Sequence, residues 1–478
     1  MASTLEELFK LAEHDTDVRT EVLAGVTTFL TMSYIVFLNP VILTAFPEDN
    51  TPGGIAIEGF SPPEVLQMLA VVTILSSAVA MLVMAFYANR PFGLAPGLGL
   101  NAFFAITVIG VLGVPWQTAL AAIVVEGIIF IILTAVGARE YIIQLFPEPV
   151  KFAVGAGIGL FLAIIGLEAM GIVVDDPATL VGLGNIASDP VAILSVLGLF
   201  LTFVLYAAGI RGSIIAGILL TTILGAVATF VGLAQPGVLA TAAVQNGGFD
   251  ASQLASAQYD ITPLAGAFLA GFGQVEAFSF ALIVFTFFFV DFFDTAGTLV
   301  GVGQAGDFLD EDGDFPDIDK PLMADAVGTT IGGMLGTSTV TTYIESATGV
   351  EEGGRTGLTA LVIAGLFLAS LAIVPLATAI PLYASHIALV VVAVLLMRNI
   401  VDIQWDNFAH AVPAGLTIMV MPFTYSIAYG IAAGIVSYPI VKTAQGEFDD
   451  VLVGQWVLAA AFVLYFVVRT GGVLTSAV

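Results

Sequence analysis

Long apolar runs constrain this chain more than any other feature. They fall near residues 20–45, 63–87, 94–112, 116–138, 152–174, 190–209, 212–233, 275–304, 322–337, 339–353, 356–380, 384–400, 407–424 and 426–443, here called segments 1 to 14. A bilayer core of about 30 Å takes about 20 apolar residues per spanning helix. Most of the chain therefore has lipid as its solvent. A closed barrel, the other spanning solution, needs strands of about 10 residues that alternate in polarity, and these runs do not alternate. The predicted fold is an all-α polytopic membrane protein. With 58% hydrophobic and only 10% charged residues, a water-soluble globular domain is excluded. One more apolar run, 451–468, reads as a fifteenth span or as a helix lying in the membrane plane.

The few basic residues test the count, because cytoplasmic loops hold the excess of Lys and Arg. With the N-terminus inside, Lys10, Arg19, Arg90, Arg139, Lys151, Arg211, Lys320, Arg355, Arg398 and Lys442 all fall on the cytoplasmic side, and the long outer loop 234–270 has none. The run 407–443 is split near Tyr425, since one over-long helix would put Lys442 outside. Residues 1–19 lack a basic stretch leading into an apolar run and do not read as a cleaved signal. They are expected to form a short amphipathic helix on the cytoplasmic surface, with Leu5, Leu8, Phe9 and Ala12 on one side.

Seven segments precede the 234–270 loop and seven follow it. Halves with an odd number of spans sit in opposite orientation, the inverted-repeat logic of secondary transporters. The expected organisation is a cytoplasmic segment 1–19, a first repeat 20–233, an extracellular loop 234–270, a second repeat 271–444 and a C-terminal apolar segment and tail 445–478. Both halves carry a broken third segment. In segment 3, Pro96, Gly97 and Gly99 interrupt the helix, with a half-helix expected from about Asn101. In segment 10, a β-branched stretch up to Tyr343 favours extended chain before a half-helix near Glu345 or Ser346.

Irregular backbone at membrane depth is tolerated where protein or a water-filled cavity satisfies it, so these breaks point to an internal site. Beside them lie Asp291 and Asp294 of segment 8 and Glu345 of segment 10. A carboxylate at the bilayer centre costs at least about 2.5 kcal/mol, which marks such residues as functional candidates. Asp294 and Glu345 adjoin helix breaks or Gly-containing turns, whereas Asp291 is as consistent with structural pairing as with function. Glu126, Glu168 and Asp325 read as structural pairs, and His386 and His410 as surface or interfacial residues near helix ends. The Phe287–Phe289 run reads as packing or lipid-facing surface, while Phe103 or Phe104 could stack on a flat ligand.

The formal net charge of −27 is concentrated in loops at 48–50, 307–319 and 447–450. Such a surface repels nucleic acid and suits a protein working in high salt, where like-charge repulsion is screened. The acidic run at 310–314 is not a calcium loop: Phe315 stands where Gly is required and Pro321 where the bidentate Glu belongs. Cysteine is absent, so thiolate chemistry is excluded. No metalloprotease, hydrolase-elbow or P-loop motif is present, which argues against an enzyme, and no cofactor is expected. Nothing resembles a repeated pore ring.

The stretches 22–40, 95–105, 290–301, 322–360 and 421–434 together resemble the AzgA-type branch of the nucleobase-cation symporter family, the adenine, guanine and hypoxanthine permeases. The resemblance extends to about Lys442 and implies a UraA-like fold of two inverted sevens. It further implies a core of segments 1–4 and 8–11, a gate of segments 5–7 and 12–14, and a possible homodimer through gate helices. On this resemblance the base sits between segments 3 and 10, held by Asp294 and Glu345 with Asn101, Thr28, Phe103, Tyr343 and Ser346 around it. Glu345, Asp294 and Asp291 are the implied proton-coupling residues. The loop after segment 8 departs from the family pattern, with Asp317 and Asp319 where basic residues are expected. Carboxylates suit the task, since purines present N–H donors on a planar edge and a carboxyl in a low-dielectric site can carry a proton. The alternative is an anion or carboxylate transporter of the same inverted-seven fold, against which the two intramembrane acids and the short tail after segment 14 argue.

Overall fold

The structure is a computed structural model, and it describes residues 2–44, 54–138, 145–241, 258–274, 277–306, 308 and 315–470. Arg139, the acidic stretch 48–50, residues 309–314 of the acidic loop and the middle of the 234–270 loop lie outside the described residues. Among the described residues, nine helices are long and apolar enough to cross a membrane by length and composition. The other segments are shorter or broken helices.

Several boundaries differ from the sequence expectation. Segment 1 is two helices, Val18–Met32 and Ile35–Thr44, broken at Ser33 and Tyr34. Pro40 lies within the second of these helices, beyond the break. Segment 5 is the helix Glu148–Ala169, shifted towards the N-terminus of its expected 152–174 span. It opens on Glu148-Pro149, where a proline fits the first helical turn, and ends before Gly171, whose φ of +67° closes the helix. The apolar Val173 and Val174 belong instead to a hairpin of Val173–Asp176 with Leu180–Leu183. Between segments 13 and 14, Tyr425 adopts a left-handed φ of 49° and separates Phe408–Thr424 from Ile427–Ala444.

The N-terminal expectation is corrected. The helix Ala2–Phe9 stops at Lys10, which is left-handed at φ 55°, and the chain turns through Leu11–His14. Phe9 and Leu11 are buried, the Phe9 ring stacks on Phe86 at 5.8 Å, and Leu8 is 56% exposed. The segment is therefore folded onto segment 2 and does not present Leu5, Leu8, Phe9 and Ala12 as one continuous face. His386 is corrected as well. It lies between the helices Leu382–Ser385 and Ile387–Leu396 but is buried, with Nδ1 2.9 Å from the Leu382 carbonyl.

Helix packing falls mainly into two groups, segments 1–4 with 8–11 and segments 5–7 with 12–14. Small residues set the close approaches. A Cβ at Gly127 of segment 4 would lie 2.7 Å from the Thr330 backbone nitrogen of segment 9, and one at Gly159 of segment 5 would lie 2.9 Å from the Ala393 carbonyl of segment 12. Glu21, fully buried at the start of segment 1, caps the start of segment 11. It accepts from the backbone N–H groups of Arg355 (2.8 Å), Thr356 (3.3 Å) and Thr359 (3.1 Å) and from the Thr359 hydroxyl (2.6 Å). The C-terminal run forms the helix Val453–Thr470, and its Phe462 packs 5.4 and 5.3 Å from the rings of Phe285 and Phe289 in segment 8.

Candidate functional site

Segments 3 and 10 leave the helical conformation at the same place in space. Leu94–Pro96 (β1) pairs antiparallel with the strand Val340–Thr342, in the register Leu94↔Thr342, Ala95↔Thr341 and Pro96↔Val340. Flanking bonds extend the ladder, from Gly97 N–H to the Thr339 carbonyl (3.0 Å) and from Tyr343 N–H to the Gly93 carbonyl (2.9 Å). Two extended pieces from opposite halves thus satisfy one another's backbone where no water would do so. Asp325 of segment 9 supports the outer side of this ladder, accepting from Thr342 N–H at 2.9 Å and from the Thr295 hydroxyl at 3.0 Å.

A helical piece leaves each strand. On one side Leu98–Ala102 follows Gly97 directly and runs on as a wider π-helical turn, Phe103–Val111. The half-helix therefore starts three residues before Asn101, with Gly97 as the last extended residue. On the other side Ser346–Glu351 follows Glu345.

A small cavity of about 50 Å³ lies where these pieces meet. One wall carries Tyr34, Gly97 to Gly99, Asp294, Thr298 and Thr341 to Glu345, and the opposite wall is Ile158 and Leu162 of segment 5 with Val392 and Leu396 of segment 12. The two walls come from the two packing groups. No basic side chain lines the cavity among the described residues, so its polarity is set by two carboxyl groups. Asp294 is half-buried and its Oδ2 lies 3.2 Å from where a Cβ on Gly97 would stand. A side chain at position 97 would also lie 2.7 Å from Thr341 Cγ2, so glycine keeps both the strand crossing and the Asp294 carboxylate in place. Glu345 is 8% exposed, and its Oε1 accepts a 2.7 Å hydrogen bond from the Tyr34 hydroxyl.

Of the residues expected at the site, the structure brings Asp294, Glu345 and Tyr343 to the cavity wall and places the others behind it. Asn101 is buried, donates to the Pro96 carbonyl at 3.3 Å and accepts from the Ser338 hydroxyl. It stitches segment 3 to segment 10. Tyr343 donates to the same Pro96 carbonyl at 2.5 Å. Ser346 Oγ accepts from Gly93 N–H at 3.0 Å and closes the other end of the strand pair. Thr28 packs against Gly349, where an added Cβ would come within 2.2 Å of its hydroxyl. Phe103 meets Phe287 edge-on at 5.2 Å and faces packing, not the cavity. Asp291 is buried one turn before Asp294 and accepts from the Thr295 hydroxyl at 3.2 Å. Glu168 accepts from the Tyr425 hydroxyl at 2.9 Å.

Sequence reasoning missed Tyr34, Thr298, Thr341 and the four apolar residues of the opposite wall. A signal existed for Tyr34, since Ser33-Tyr34 is a polar pair within an apolar run. None existed for Ile158, Leu162, Val392 and Leu396, which look like every other aliphatic residue in a spanning helix.

Comparison with known proteins matches this architecture. Over 87% of its length the chain superposes on the transmembrane domain of a cyanobacterial bicarbonate transporter, BicA, covering 97% of that chain at TM-score 0.57 and 15% identity. It also superposes on the murine solute carrier 26 member A9 anion transporter in its inward-facing state, over 89% of this chain and 68% of that one, at TM-score 0.55 and 10% identity. These likenesses establish the inverted-repeat fold. In sequence, the chain is 40% identical to a putative permease of Methanocaldococcus jannaschii, covering 98% of this chain and 99% of that one. It is 38% identical to the adenine permease AdeQ of Escherichia coli (97% and 96% covered) and 36% identical to the guanine/hypoxanthine permease PbuG of Bacillus subtilis (97% and 99% covered). The Permease family model matches residues 19–433, and on these grounds the chain is a multi-pass membrane protein belonging to the xanthine/uracil permease family.

Proposed function

We propose that this permease takes up purine nucleobases of the hypoxanthine, adenine and guanine class, with proton symport as the driving reaction. The observation that carries the reading is the convergence of Asp294 and Glu345 on one cavity between two helix groups. Two carboxylate acceptors facing an apolar wall of Ile158, Leu162, Val392 and Leu396 fit a planar solute with N–H donors on its edge. The adenine and guanine/hypoxanthine permeases at 36–38% identity support the same substrate class. An anion transporter on this fold is disfavoured, because two carboxylates repel an anion and the solved anion transporters share only the fold, at 10–15% identity.

The carriers in this reading are Glu345 and Asp294 for the base, with Asp291 behind them as a further candidate for the coupling proton. Asn101, Ser346, Tyr343, Thr28 and Phe103 act by holding the strand pair and half-helices in register. The test is competition of unlabelled purines against radiolabelled hypoxanthine uptake. Purines are expected to compete and bicarbonate or chloride not to. Uptake should collapse with a protonophore at constant Na⁺; uptake that follows the Na⁺ gradient and ignores the protonophore would overturn proton coupling.

The same reading places the chain in the membrane with fourteen crossings, two inverted sevens and a cytoplasmic N-terminus, and with a homodimer formed through segments 5–7 and 12–14. Single cysteines report the orientation cleanly, since the chain has no Cys. In intact cells an impermeant reagent is expected to modify Gln245→Cys and to leave Gly313→Cys unmodified. The reverse pattern refutes this orientation.

A further inference from the structure

Tyr34 sits in the break between the two helical pieces of segment 1, fully buried, and forms part of the cavity wall. Its single hydroxyl hydrogen is directed to Glu345 Oε1, at 2.7 Å. The other tyrosine nearby, Tyr343, has its hydroxyl committed to the Pro96 carbonyl at 2.5 Å. Segment 1 is also fastened to the half-helix that follows Glu345, through Thr31 and Thr348 (3.1 Å between hydroxyls) and the close packing of Thr28 on Gly349. The elements that carry Tyr34 and Glu345 are thus fastened to each other at further points beside this hydrogen bond.

A carboxylate with both oxygens free accepts two parallel N–H bonds from a paired-donor edge. Here Oε1 already accepts from Tyr34, which takes one of its lone pairs and draws on its charge, so Oε2 is the stronger acceptor for the ligand. We propose that Tyr34 is a specificity-determining residue: by occupying Oε1 it leaves Glu345 with one strong acceptor oxygen, Oε2, favouring purines that offer a single ring N–H over those that offer two adjacent donors. This rests on the purine reading above. Hypoxanthine has N1–H beside a C2–H, so one oxygen serves it fully. Guanine has N1–H beside a 2-amino group, and its second donor finds Oε1 already engaged.

The experiment measures the affinities of hypoxanthine and guanine for the purified full-length protein in wild type, Tyr34→Phe, Glu345→Gln and the double variant. Tyr34→Phe is expected to weaken hypoxanthine while guanine keeps or gains affinity, moving the ratio at least about fivefold towards guanine. In the Glu345→Gln background, where the amide has only one acceptor oxygen, Tyr34→Phe should no longer move that ratio towards guanine. Both affinities come from the same preparation, so a smaller folded fraction cancels from the ratio. A ratio within about twofold of wild type in Tyr34→Phe, or a shift that persists without Glu345, overturns the inference while the purine reading stands. Wild-type affinity for both bases in Glu345→Gln overturns the reading and the inference together.

Discussion

Glu345→Gln is expected to weaken purine binding by about 5- to 150-fold, the equivalent of roughly 1–3 kcal/mol. The amide of the variant can still accept from Tyr34 through its oxygen, because that hydrogen bond is already made at 2.7 Å. Its NH₂ is then the group turned towards the ligand. A donor meets a ring donor, and two desolvated polar groups are left unmatched. Asp294→Asn should impair binding or transport for the same reason, since Asp294 lines the same cavity. Asp291→Asn should be milder, because Asp291 lies outside the cavity wall and accepts from Thr295. None of the three substitutions should unfold the protein, as neutral amides enter a bilayer more readily than carboxylates. Wild-type affinity in monodisperse Glu345→Gln and Asp294→Asn would mean that both acids are structural.

The largest stability effect is expected far from the cavity, at Glu21. Its carboxylate accepts from three backbone N–H groups and one hydroxyl at the start of segment 11. Helix starts leave such N–H groups without intrahelical partners, and each buried donor stranded without an acceptor costs about 1–3 kcal/mol. Glu21→Ala should therefore destabilise the protein by roughly 3–5 kcal/mol. Glu21→Gln keeps one acceptor oxygen and should lose less. The measurement is the midpoint for loss of the monodisperse peak on heating in detergent. An unchanged midpoint in Glu21→Ala would show that water or a neighbouring group takes over the cap.

Glu21 also shows why some features escape a sequence reading. It looks like an ordinary acidic residue at the end of a loop, and its partners lie 334 to 338 positions away. The N-terminal helix fails for a related reason. Spacing alone puts Leu5, Leu8, Phe9 and Ala12 together, but the helix ends at Lys10 before Ala12, and Phe9 packs on Phe86 while Leu8 stays exposed. Segment 5 ended early because Gly171 with its positive φ outweighed two more apolar residues.

By itself the sequence determined the solvent, the helical class, the helix breaks in segments 3 and 10 and the carboxylates worth suspecting. Each follows from a strong local cost: a bilayer demands long apolar runs, proline and glycine interrupt helices, and a buried charge is expensive. Only the tertiary structure decided which polar residues face the cavity. Asn101, Ser346 and Tyr343 carry the same polar signature, yet the first two stitch β1 to its partner strand and only the third reaches the wall. Hydrophobic periodicity cannot separate them, because in a spanning helix the face towards lipid is as apolar as the face towards protein. The pairing of Leu94–Pro96 with Val340–Thr342, and the meeting of Tyr34 with Glu345, join residues hundreds of positions apart. Such contacts are chosen by the packing of whole helices and leave no mark on the chain near either partner.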